Sequence, residues 1–571
     1  MRRLFSGIQQ NLLVLLILII ALVVRIYGNG FGLPDQFHID EVHLVSRAIK
    51  FGSGDLNPHF FFYPTFYMYF LFVLYGITFL AGTIGGVYKS ASEFGMQYFI
   101  DPSIFYLIGR TFSALFGVAT VYVVYIFGKK FVGKSAGVAA AVMLGASTLH
   151  IELSHYTTTD IPLTFFITLA LYFITCISVS GERKYYLLAG VAGGLAISTK
   201  YTAALLLPVM LLSHFVYVYS SRKMNRKAAF LNLDLFIMFI LFAIVFVAAS
   251  PFIVLDFKSF VNDIGIQQKL MQQGWLGDEV PVNMWIHSIS VYLKDGLGVP
   301  VLLCGLLGVV YCFVRRKIEL LSVSVFFVCY YLFVGRYSNW VYARHWIGVF
   351  PALCICSAYL LNDLFRLSKL PERIRLDAVS ITAMIMVIAP FNAALNHDAL
   401  LTVKDTRTIS REWIEDNIPT GTTIAIEFAC PQLKPTVESL KNKERAIRLS
   451  AKHNDFAAPY NVYSERKVSE AEAASEKNIH TKALERVSKK YNLIYAYSLS
   501  EYSLDVYSSE GAEYLIISGA VFERYFNAEK NYPESVEFYR SLDRDMVMVK
   551  EFTAAPGVST GPTIRIYKFK N

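Results

Sequence analysis

Apolar runs of roughly bilayer-spanning length recur from near the start of the chain to residue 393, and they constrain the fold more than any other feature. The first of them contains NLLVLLILIIALVV, residues 11–24. A membrane-spanning helix needs about 20 mainly apolar residues. Eleven stretches are candidates, near 11–27, 103–127, 135–152, 161–179, 185–199, 201–219, 229–250, 297–314, 318–335, 346–365 and 377–393. Because 55% of the 571 residues are hydrophobic and only 17% are charged, the sequence predicts a polytopic α-helical membrane protein and excludes a soluble enzyme.

The basic residues are distributed as expected for loops on one side of a membrane. Clusters of Lys and Arg occur at Arg2 and Arg3 and within 128–134, 181–184, 220–227, 315–317 and 366–375. Cytoplasmic loops carry an excess of Lys and Arg, and the eleven spans place every cluster on the cytoplasmic side. We expect a retained first helix, a cytoplasmic N-terminus and an extracytoplasmic C-terminus in the cell membrane. The net charge of +9 is therefore largely a topology signal, and no nucleic-acid partner is expected.

One further apolar stretch, residues 60–87, needs its own interpretation. It contains Pro64 and many aromatic residues of the kind that lie at membrane interfaces. If it crossed the membrane, the basic cluster at 128–134 would lie outside and every later loop would be misplaced. We therefore expect juxtamembrane helices near 36–90 that lie along the outer face or dip into it. A true span is the alternative.

The apolar stretch 185–219 is too long for one span, and Lys200 interrupts it. Two short helices that meet at Lys200 fit the length and the basic loops at both ends. This arrangement places Lys200 on the outer side, where an ionisable residue at a membrane edge is a functional candidate.

The polar tail from residue 394 to 571 predicts a small extracytoplasmic α/β domain that follows the transmembrane domain of residues 1–393. Segments 405–419 and 481–491 have helical patterns, whereas 422–428, 513–519, 546–552 and 563–569 resemble strands. Residues 464–480 are rich in Glu, Lys, Ser and Ala and predict a solvated helix or loop. Of the seven cysteines only Cys430 lies in the tail, so no disulfide framework is expected there.

The predicted topology brings ionisable residues from several loops to the outer face. These residues are Asp40 and Glu41 in the first outer loop, His155 and Asp160 in the second, Lys200 in the third, and Tyr342 and Arg344 in the fifth. Carboxylates and cations on one face suit a reaction with a phosphate leaving group, because a base can accept the proton of a nucleophile while cations stabilise the departing phosphate.

Each of these residues also has a structural interpretation. Acids in a first helical turn, such as Asp40 and Glu41, complement the helix dipole. Asp160 precedes an Ile-Pro pair and can cap the next helix. Lys200 can reach the membrane interface from within the membrane. Arg344 can serve as an anchor of the chain at the same interface.

The sequence is compatible with a bound divalent metal ion but does not establish one, and it establishes no other cofactor. The candidate ligands are Asp40, His155 and Asp160, but the tight His and Cys spacing of a metal site is missing. His155 taken alone fits a packed or interfacial histidine better than a metal ligand.

Several motifs at these positions resemble the C-type glycosyltransferases. HIDE, residues 38–41, is similar to their first-loop acidic motif. FFYPTFYMYF, IGRTFSALFG, LSHYTTTDIPLTFF, GLAISTKYTAALLLP and YARHWIGVFPAL follow in matching order. Together with the tail, they resemble the bacterial and archaeal branch of the protein O-mannosyltransferases, which is related to the lipid A aminoarabinose transferases.

The resemblance implies a sugar donor linked to polyprenyl phosphate, inversion at the anomeric carbon and an extracytoplasmic acceptor that is a glycan, a lipid or a protein. By motif, Asp40 matches the catalytic or metal-associated acid, with Glu41 beside it, and Asp160 matches a second-loop acid. Lys200 and Arg344 are approximate matches for donor-phosphate binding, with Tyr342 next to them. The tail is not the three-lobed domain of the eukaryotic protein mannosyltransferases, which weakens the case for a protein acceptor.

Two other classes of function compete with a glycosyltransferase. A transporter or flippase of a polyprenyl-linked or other lipid would use charges in the middle of its spans, whereas the polar residues here lie at loop ends. A membrane scaffold that binds partners through its tail would give no reason for the acid pair and the facing cations.

Overall fold

The computed structural model describes residues 2–221, 232–273, 282–337, 342–368, 371–437 and 481–570, together with residues 439 and 479. It is a mainly helical membrane protein with a small C-terminal sheet. The predicted fold class is therefore confirmed. The proposed solvated segment, residues 464–480, lies outside the described residues except for residue 479.

Twenty α-helices precede the first strand in the described part of the chain. They are α1 (Arg2–Ile26), α2 (Ile39–Lys50), α3 (Phe66–Ile84), α4 (Ala91–Ile100), α5 (Ser103–Phe131), α6 (Lys134–Gly145), α7 (Thr148–Ser154), α8 (Asp160–Ser180), α9 (Arg183–Thr199), α10 (Leu206–Ser221), α11 (Leu233–Ala249), α12 (Phe252–Leu255), α13 (Phe257–Gln273), α14 (Met284–His287), α15 (Lys294–Leu297), α16 (Val299–Val314), α17 (Ile318–Gly335), α18 (Phe350–Leu367), α19 (Glu372–Met386) and α20 (Ile388–Leu400). Short 3₁₀ or π segments occupy Phe51–Ser53, Tyr201–Leu205, Ser288–Leu293 and Ala343–Val349.

The number of spans differs in detail from the predicted eleven. Among the described residues, six helical stretches are long and apolar enough to cross a membrane, and up to nine are if each bent pair is one span. The bent pairs are α6 with α7 (61°), α14–α15 with α16 (118°) and α19 with α20 (47°). Helix α11 and residues Asn11–Ile26 of α1 are apolar but shorter. The chain is therefore a multi-pass membrane protein, and the count of eleven stays a prediction.

The sharpest of these bends depends on a glycine. Gly298 separates α15 from α16 with φ +79°, a conformation that L side chains rarely adopt. A Cβ atom there would also lie 3.0 Å from the ring of Pro390. A larger residue at this 118° turn would therefore be strained and would crowd α20.

The ambiguous stretch 60–87 contains one continuous helix, α3, that is long and apolar enough to cross a membrane. Some of its contacts are with the first half of α5: Phe70 packs against Phe112 and Phe116 at 5.5 Å, and the Tyr75 hydroxyl donates to the carbonyl of Phe105 at 3.2 Å. The expectation of several short helices is therefore corrected to one helix. Its position along the outer face stays a prediction.

The predicted break at Lys200 is confirmed. Helix α9 ends at Thr199, Lys200 is extended (φ −156°, ψ 135°), and the next segment begins at Tyr201. Because the extended backbone at Lys200 ends the helical path of α9, the Lys200 side chain is directed towards the start of α8.

The C-terminal part of the chain contains an α/β sheet, as predicted. Its helices are α21 (Thr406–Asn417), α22 (Leu504–Ser509), α23 (Gly519–Asn527) and α24 (Pro533–Asp545), and its strands are β1 (Lys404–Asp405), β2 (Thr423–Glu427), β3 (Asn492–Ala496), β4 (Tyr514–Ser518), β5 (Met546–Phe552), β6 (Ser559–Thr560) and β7 (Ile564–Phe569). The main sheet has the order β3-β2-β4-β7-β5, with β2 parallel to β3 and β4 and with β7 antiparallel to β4 and β5. The predicted boundary at residue 394 falls within α20 and stays a prediction.

Candidate functional site

Helix α2 carries both acids of the HIDE motif in its first turn. It begins at Ile39, after His38, whose backbone is extended. Successive helical residues are rotated by about 100° around the axis, so Asp40 and Glu41 face different neighbours. Both positions also complement the helix dipole, and the structural and chemical interpretations are compatible here.

Asp40 forms an ion pair with Arg344, which is 304 residues away in the sequence. The hydroxyl of Tyr63 donates to the other carboxylate oxygen at 3.5 Å. The Asp40 side chain is 13% exposed, so a substrate can still reach it. Burial acts to raise the pKa of Asp40, but the combined positive charges around it, of which Arg344 is the strongest, hold this pKa below its ordinary value.

Asp160 and Lys200 form a second ion pair. Asp160 is the first residue of α8, and its Oδ1 atom accepts a hydrogen bond from Lys200 Nζ at 2.7 Å. Their side chains are only 4% and 12% exposed. The break after α9 and the start of α8 thus bring together the two residues that the sequence places in separate outer loops.

The two ion pairs lie close enough to interact. Arg344 interacts electrostatically with Asp160 as well as with Asp40. The positive charge of Lys200 contributes to the lowered pKa of Asp40. We call Asp40, Arg344, Asp160 and Lys200 the four-charge cluster. It has two acids and two bases, so it is neutral as a whole, and a bound phosphate would find both cations already paired with carboxylates.

Glu41 lies outside the four-charge cluster. Its carboxylate forms a bidentate ion pair with Arg110, with Nε–Oε1 at 2.9 Å and Nη2–Oε2 at 2.8 Å, and it accepts a third hydrogen bond from the backbone N–H of Thr157 at 2.8 Å. Both charged side chains are 1% exposed. The expectation that Glu41 acts beside Asp40 is therefore corrected: we infer that it anchors α2 to α5.

Tyr342 lies next to Arg344, as its position in the motif suggests. Its ring centroid is 5.5 Å from the Arg344 guanidinium carbon, and its backbone N–H donates to His345 Nδ1 at 3.1 Å. The Tyr330 hydroxyl donates to the His345 carbonyl at 2.6 Å. These contacts fix the start of the 3₁₀ segment that carries Arg344. The assignment of Tyr342 to phosphate binding stays a prediction.

His155 faces a different part of the molecule. Its Nδ1 and Nε2 atoms each lie 3.0 Å from a backbone carbonyl, of Ile151 and Tyr27 respectively, and Nε2 is 3.7 Å from Asp398. Helix α7 ends one residue earlier, and the chain turns before α8 begins. This turn separates His155 from the side of the chain that Asp160 occupies.

The candidate metal ligands do not fit a metal ion. In the part of the chain that the structure describes, no three His, Cys, Asp or Glu side chains are grouped to hold one. Asp40 and Asp160 instead bind Arg344 and Lys200, and His155 contacts backbone carbonyls. The expectation that His155 joins the two acids is wrong, and we assign no step to a metal.

A comparison with protein families finds one match within this chain. The sequence model of the family described as dolichyl-phosphate-mannose-protein mannosyltransferase matches residues 106–251. That segment includes Arg110, Asp160 and Lys200. A relative from Aquifex aeolicus (strain VF5), an uncharacterized protein, is 33% identical over 100 residues, which is 17% of this chain and 20% of that protein. The chain thus aligns with a fifth of the length of that relative.

Solved structures match over much more of the chain. ArnT from Cupriavidus metallidurans bound to undecaprenyl phosphate has a TM-score of 0.50 and 14% identity, with 97% of each chain covered. The chain therefore has a fold similar to that of ArnT. The oligosaccharyltransferase AglB from Archaeoglobus fulgidus has a TM-score of 0.49 and 11% identity over 91% of this chain and 72% of its own. The S. cerevisiae Pmt1-Pmt2 complex is 23% identical over 44% of this chain and 34% of its own, with a TM-score of 0.33.

Sequence reasoning missed Arg110, although this residue organises the fold around the first-loop acids. Besides Glu41, the Arg110 guanidinium binds the carbonyls of Asn29 and Phe31 at 2.7 and 2.9 Å and lies 3.7 Å from the Phe31 ring centroid. An arginine inside an apolar span was the available signal, because such residues are costly and have a partner.

Proposed function

We propose that this protein is a membrane glycosyltransferase that moves a sugar from a polyprenyl-phosphate carrier to a hydroxyl or amine of an extracytoplasmic acceptor. The four-charge cluster carries the proposal, because it combines two carboxylates and two cations in one partly exposed site. The description of the matching family names a dolichyl-phosphate-linked mannose, and the similar ArnT structure holds undecaprenyl phosphate. Both support a lipid-linked donor. The acceptor in this proposal is a glycan, a lipid or a protein.

In this proposal Lys200 and Arg344 bind the donor phosphate. Charge-assisted hydrogen bonds from Lys and Arg to phosphate are strong, and they gain strength as negative charge develops on the leaving group. Since both cations are paired with acids in the structure, the phosphate competes with Asp40 for Arg344 and with Asp160 for Lys200. Donor binding would thereby release the carboxylates when they are needed.

Asp40 is the proposed base. The acceptor oxygen or nitrogen attacks the anomeric carbon while its proton passes to the Asp40 carboxylate, and the bond from that carbon to the phosphate oxygen breaks, with the electron pair leaving on the phosphate. Attack from the side opposite the phosphate inverts the anomeric configuration. Asp160 holds the Lys200 side chain in place by its hydrogen bond.

The direct test uses the full chain in lipid nanodiscs with labelled polyprenyl-phosphate sugars. We expect polyprenyl phosphate to be released at a rate that depends on an added acceptor extract, and the label to appear on the acceptor. A transporter or flippase would instead move the intact donor across proteoliposomes. Movement of the donor without cleavage of the sugar would contradict the proposal.

Lys200→Ala should raise the KM for the donor by about 10- to 100-fold, the effect of losing one hydrogen bond to a charged group. Steady-state kinetics with a fixed acceptor measure it. Lys184→Ala is a matched control, because Lys184 is exposed and pairs with Glu182 away from the cluster. Since Lys200→Ala leaves Asp160 unpaired, the double variant with Asp160→Asn is needed as well. A normal donor KM in the double variant would rule out phosphate binding by Lys200.

A further inference from the structure

The C-terminal domain holds the three residues that precede the HIDE motif. Asp35 is 6% exposed, and its carboxylate binds Arg411 Nε at 3.2 Å and the Thr408 hydroxyl at 3.1 Å. Both partners belong to α21, the first helix of the domain. The domain thus makes a buried, charged contact five residues before Asp40.

The next residue, Gln36, is bound through its backbone. Its N–H donates to Gln432 Oε1 at 3.0 Å, and its carbonyl accepts from Gln432 Nε2 at 2.7 Å. The Gln432 side-chain amide therefore hydrogen-bonds both the backbone N–H and the backbone carbonyl of Gln36, as a neighbouring strand would. A backbone fixed in this way cannot translate without breaking both hydrogen bonds.

Phe37 completes the contact. The Arg407 guanidinium carbon lies 3.8 Å from the Phe37 ring centroid, and Arg407 is itself held by two 2.8 Å hydrogen bonds to Asp405. Only His38 and Ile39 separate Phe37 from Asp40, and α2 begins at Ile39. The position at which α2 starts therefore depends on how the domain holds residues 35–37.

We propose that Arg407, Arg411 and Gln432 are positioning residues, through which the C-terminal domain holds Asp40 in the four-charge cluster. Their effect on reaction rate rests on the proposed function. Arg110 anchors Glu41 to the membrane bundle, and the domain fixes the chain just before Asp40, so the start of α2 is held from two sides. The domain is in this way part of the active-site scaffold.

The domain has a second attachment, which keeps it docked when one of these contacts is removed. Leu270 of α13 is 7% exposed and belongs to the same hydrophobic cluster as Leu499 and Tyr507 of the domain. Lys434 Nζ also donates to the carbonyl of Phe99 at 3.1 Å. Single substitutions at the three positioning residues therefore change the local hold on residues 35–37 and leave the domain in place.

The test compares Gln432→Ala and Arg411→Ala with the parent chain in nanodiscs. We expect kcat to fall by about 10- to 100-fold, the cost of a misplacement of about 1 Å, with the donor KM changed less than about threefold. Because Asp40 would separate from Arg344, the acid limb of the pH profile should move to higher pH. Arg411→Lys should recover part of the rate, since it keeps a charge towards Asp35.

Hydrogen–deuterium exchange gives a readout that does not depend on turnover. The amides of residues 38–44 should exchange faster in Gln432→Ala and Arg411→Ala than in the parent chain or in the control Arg540→Ala, which removes an exposed ion pair of the same domain. Unchanged exchange there, or an unchanged kcat, would overturn the proposal. Faster exchange in a chain that transfers no sugar would support the hold on Asp40 and refute the proposed function.

Discussion

Asp40→Asn should lower the rate of sugar transfer by about 10²–10⁴-fold, the usual contribution of a general base, without raising the KM for the donor. An alcohol is too weak an acid to ionise at neutral pH, so a carboxylate must accept its proton as the new bond forms. Asp40 is placed for this role because it is ionised, 13% exposed and next to the proposed phosphate ligand Arg344. The amide keeps the size of the side chain and loses its basicity.

The pH dependence follows from the same geometry. The positive charges around Asp40, led by Arg344, together hold its pKa below the ordinary value despite burial, so the carboxylate is present at neutral pH and is lost only as the pH falls. The profile of kcat/KM, which reports the free enzyme, should therefore show no acid limb from Asp40 above about pH 4.

Two controls separate this role from a structural one. Asp55→Asn changes another acid of the same loop, which pairs with His59 at 2.7 Å, and it should transfer sugar at close to the parental rate. Asp160→Asn should act mainly through Lys200 and donor binding. If Asp40→Asn is as active as the parent chain while Asp160→Asn is inactive, Asp160 is the base.

The sequence could predict that Asp40, Asp160, Lys200 and Arg344 lie near one another, because the basic clusters suggested that their loops share one side. The structure brings these four residues together, whereas the sidedness of the loops stays a prediction. The pairing within the cluster depends on how α2 and the 3₁₀ segment pack, and no local pattern specifies it. The break at Lys200 was visible because a charged residue interrupted an apolar run.

The errors at Glu41 and His155 have local geometric causes. Glu41 is next to Asp40 in the sequence, but adjacent residues of a helix do not face the same side. His155 lies beyond the end of α7, where the direction of the chain changes. Sequence proximity to a functional acid was a poor guide in both cases.

The strands in the C-terminal part of the chain were predictable from their alternating patterns, whereas its contact with residues 35–37 was not. Gln36 and Gln432 are 396 residues apart, and each is an ordinary polar residue in its own segment. Contacts of this kind are determined by the docking of two folded units, which leaves no periodic signal in either segment.

Arg110→Ala should lower the free energy of unfolding by about 3–5 kcal/mol, the range for removing one partner of a buried ion pair. Arg110 and Glu41 are each 1% exposed, and among the described residues the substitution leaves the Glu41 carboxylate with the Thr157 N–H as its one donor. It also frees the carbonyls of Asn29 and Phe31. Thermal unfolding in detergent, followed by intrinsic fluorescence, measures the loss as a lower Tm.

The companion variants test whether the cost arises from the unpaired charge. Arg110→Ala combined with Glu41→Gln should be more stable than the sum of the two single changes predicts, because the double variant leaves no buried charge without a partner. Arg540→Ala, which breaks an exposed pair with Glu529, should have little effect.

Arg110→Lys keeps the charge but cannot reproduce the bidentate geometry. If Arg110→Lys folds and has a reduced kcat with a normal donor KM, the role of this arginine is to hold α2. If the stability changes of the two single variants add up strictly in the double variant, Arg110 and Glu41 are not a coupled ion pair.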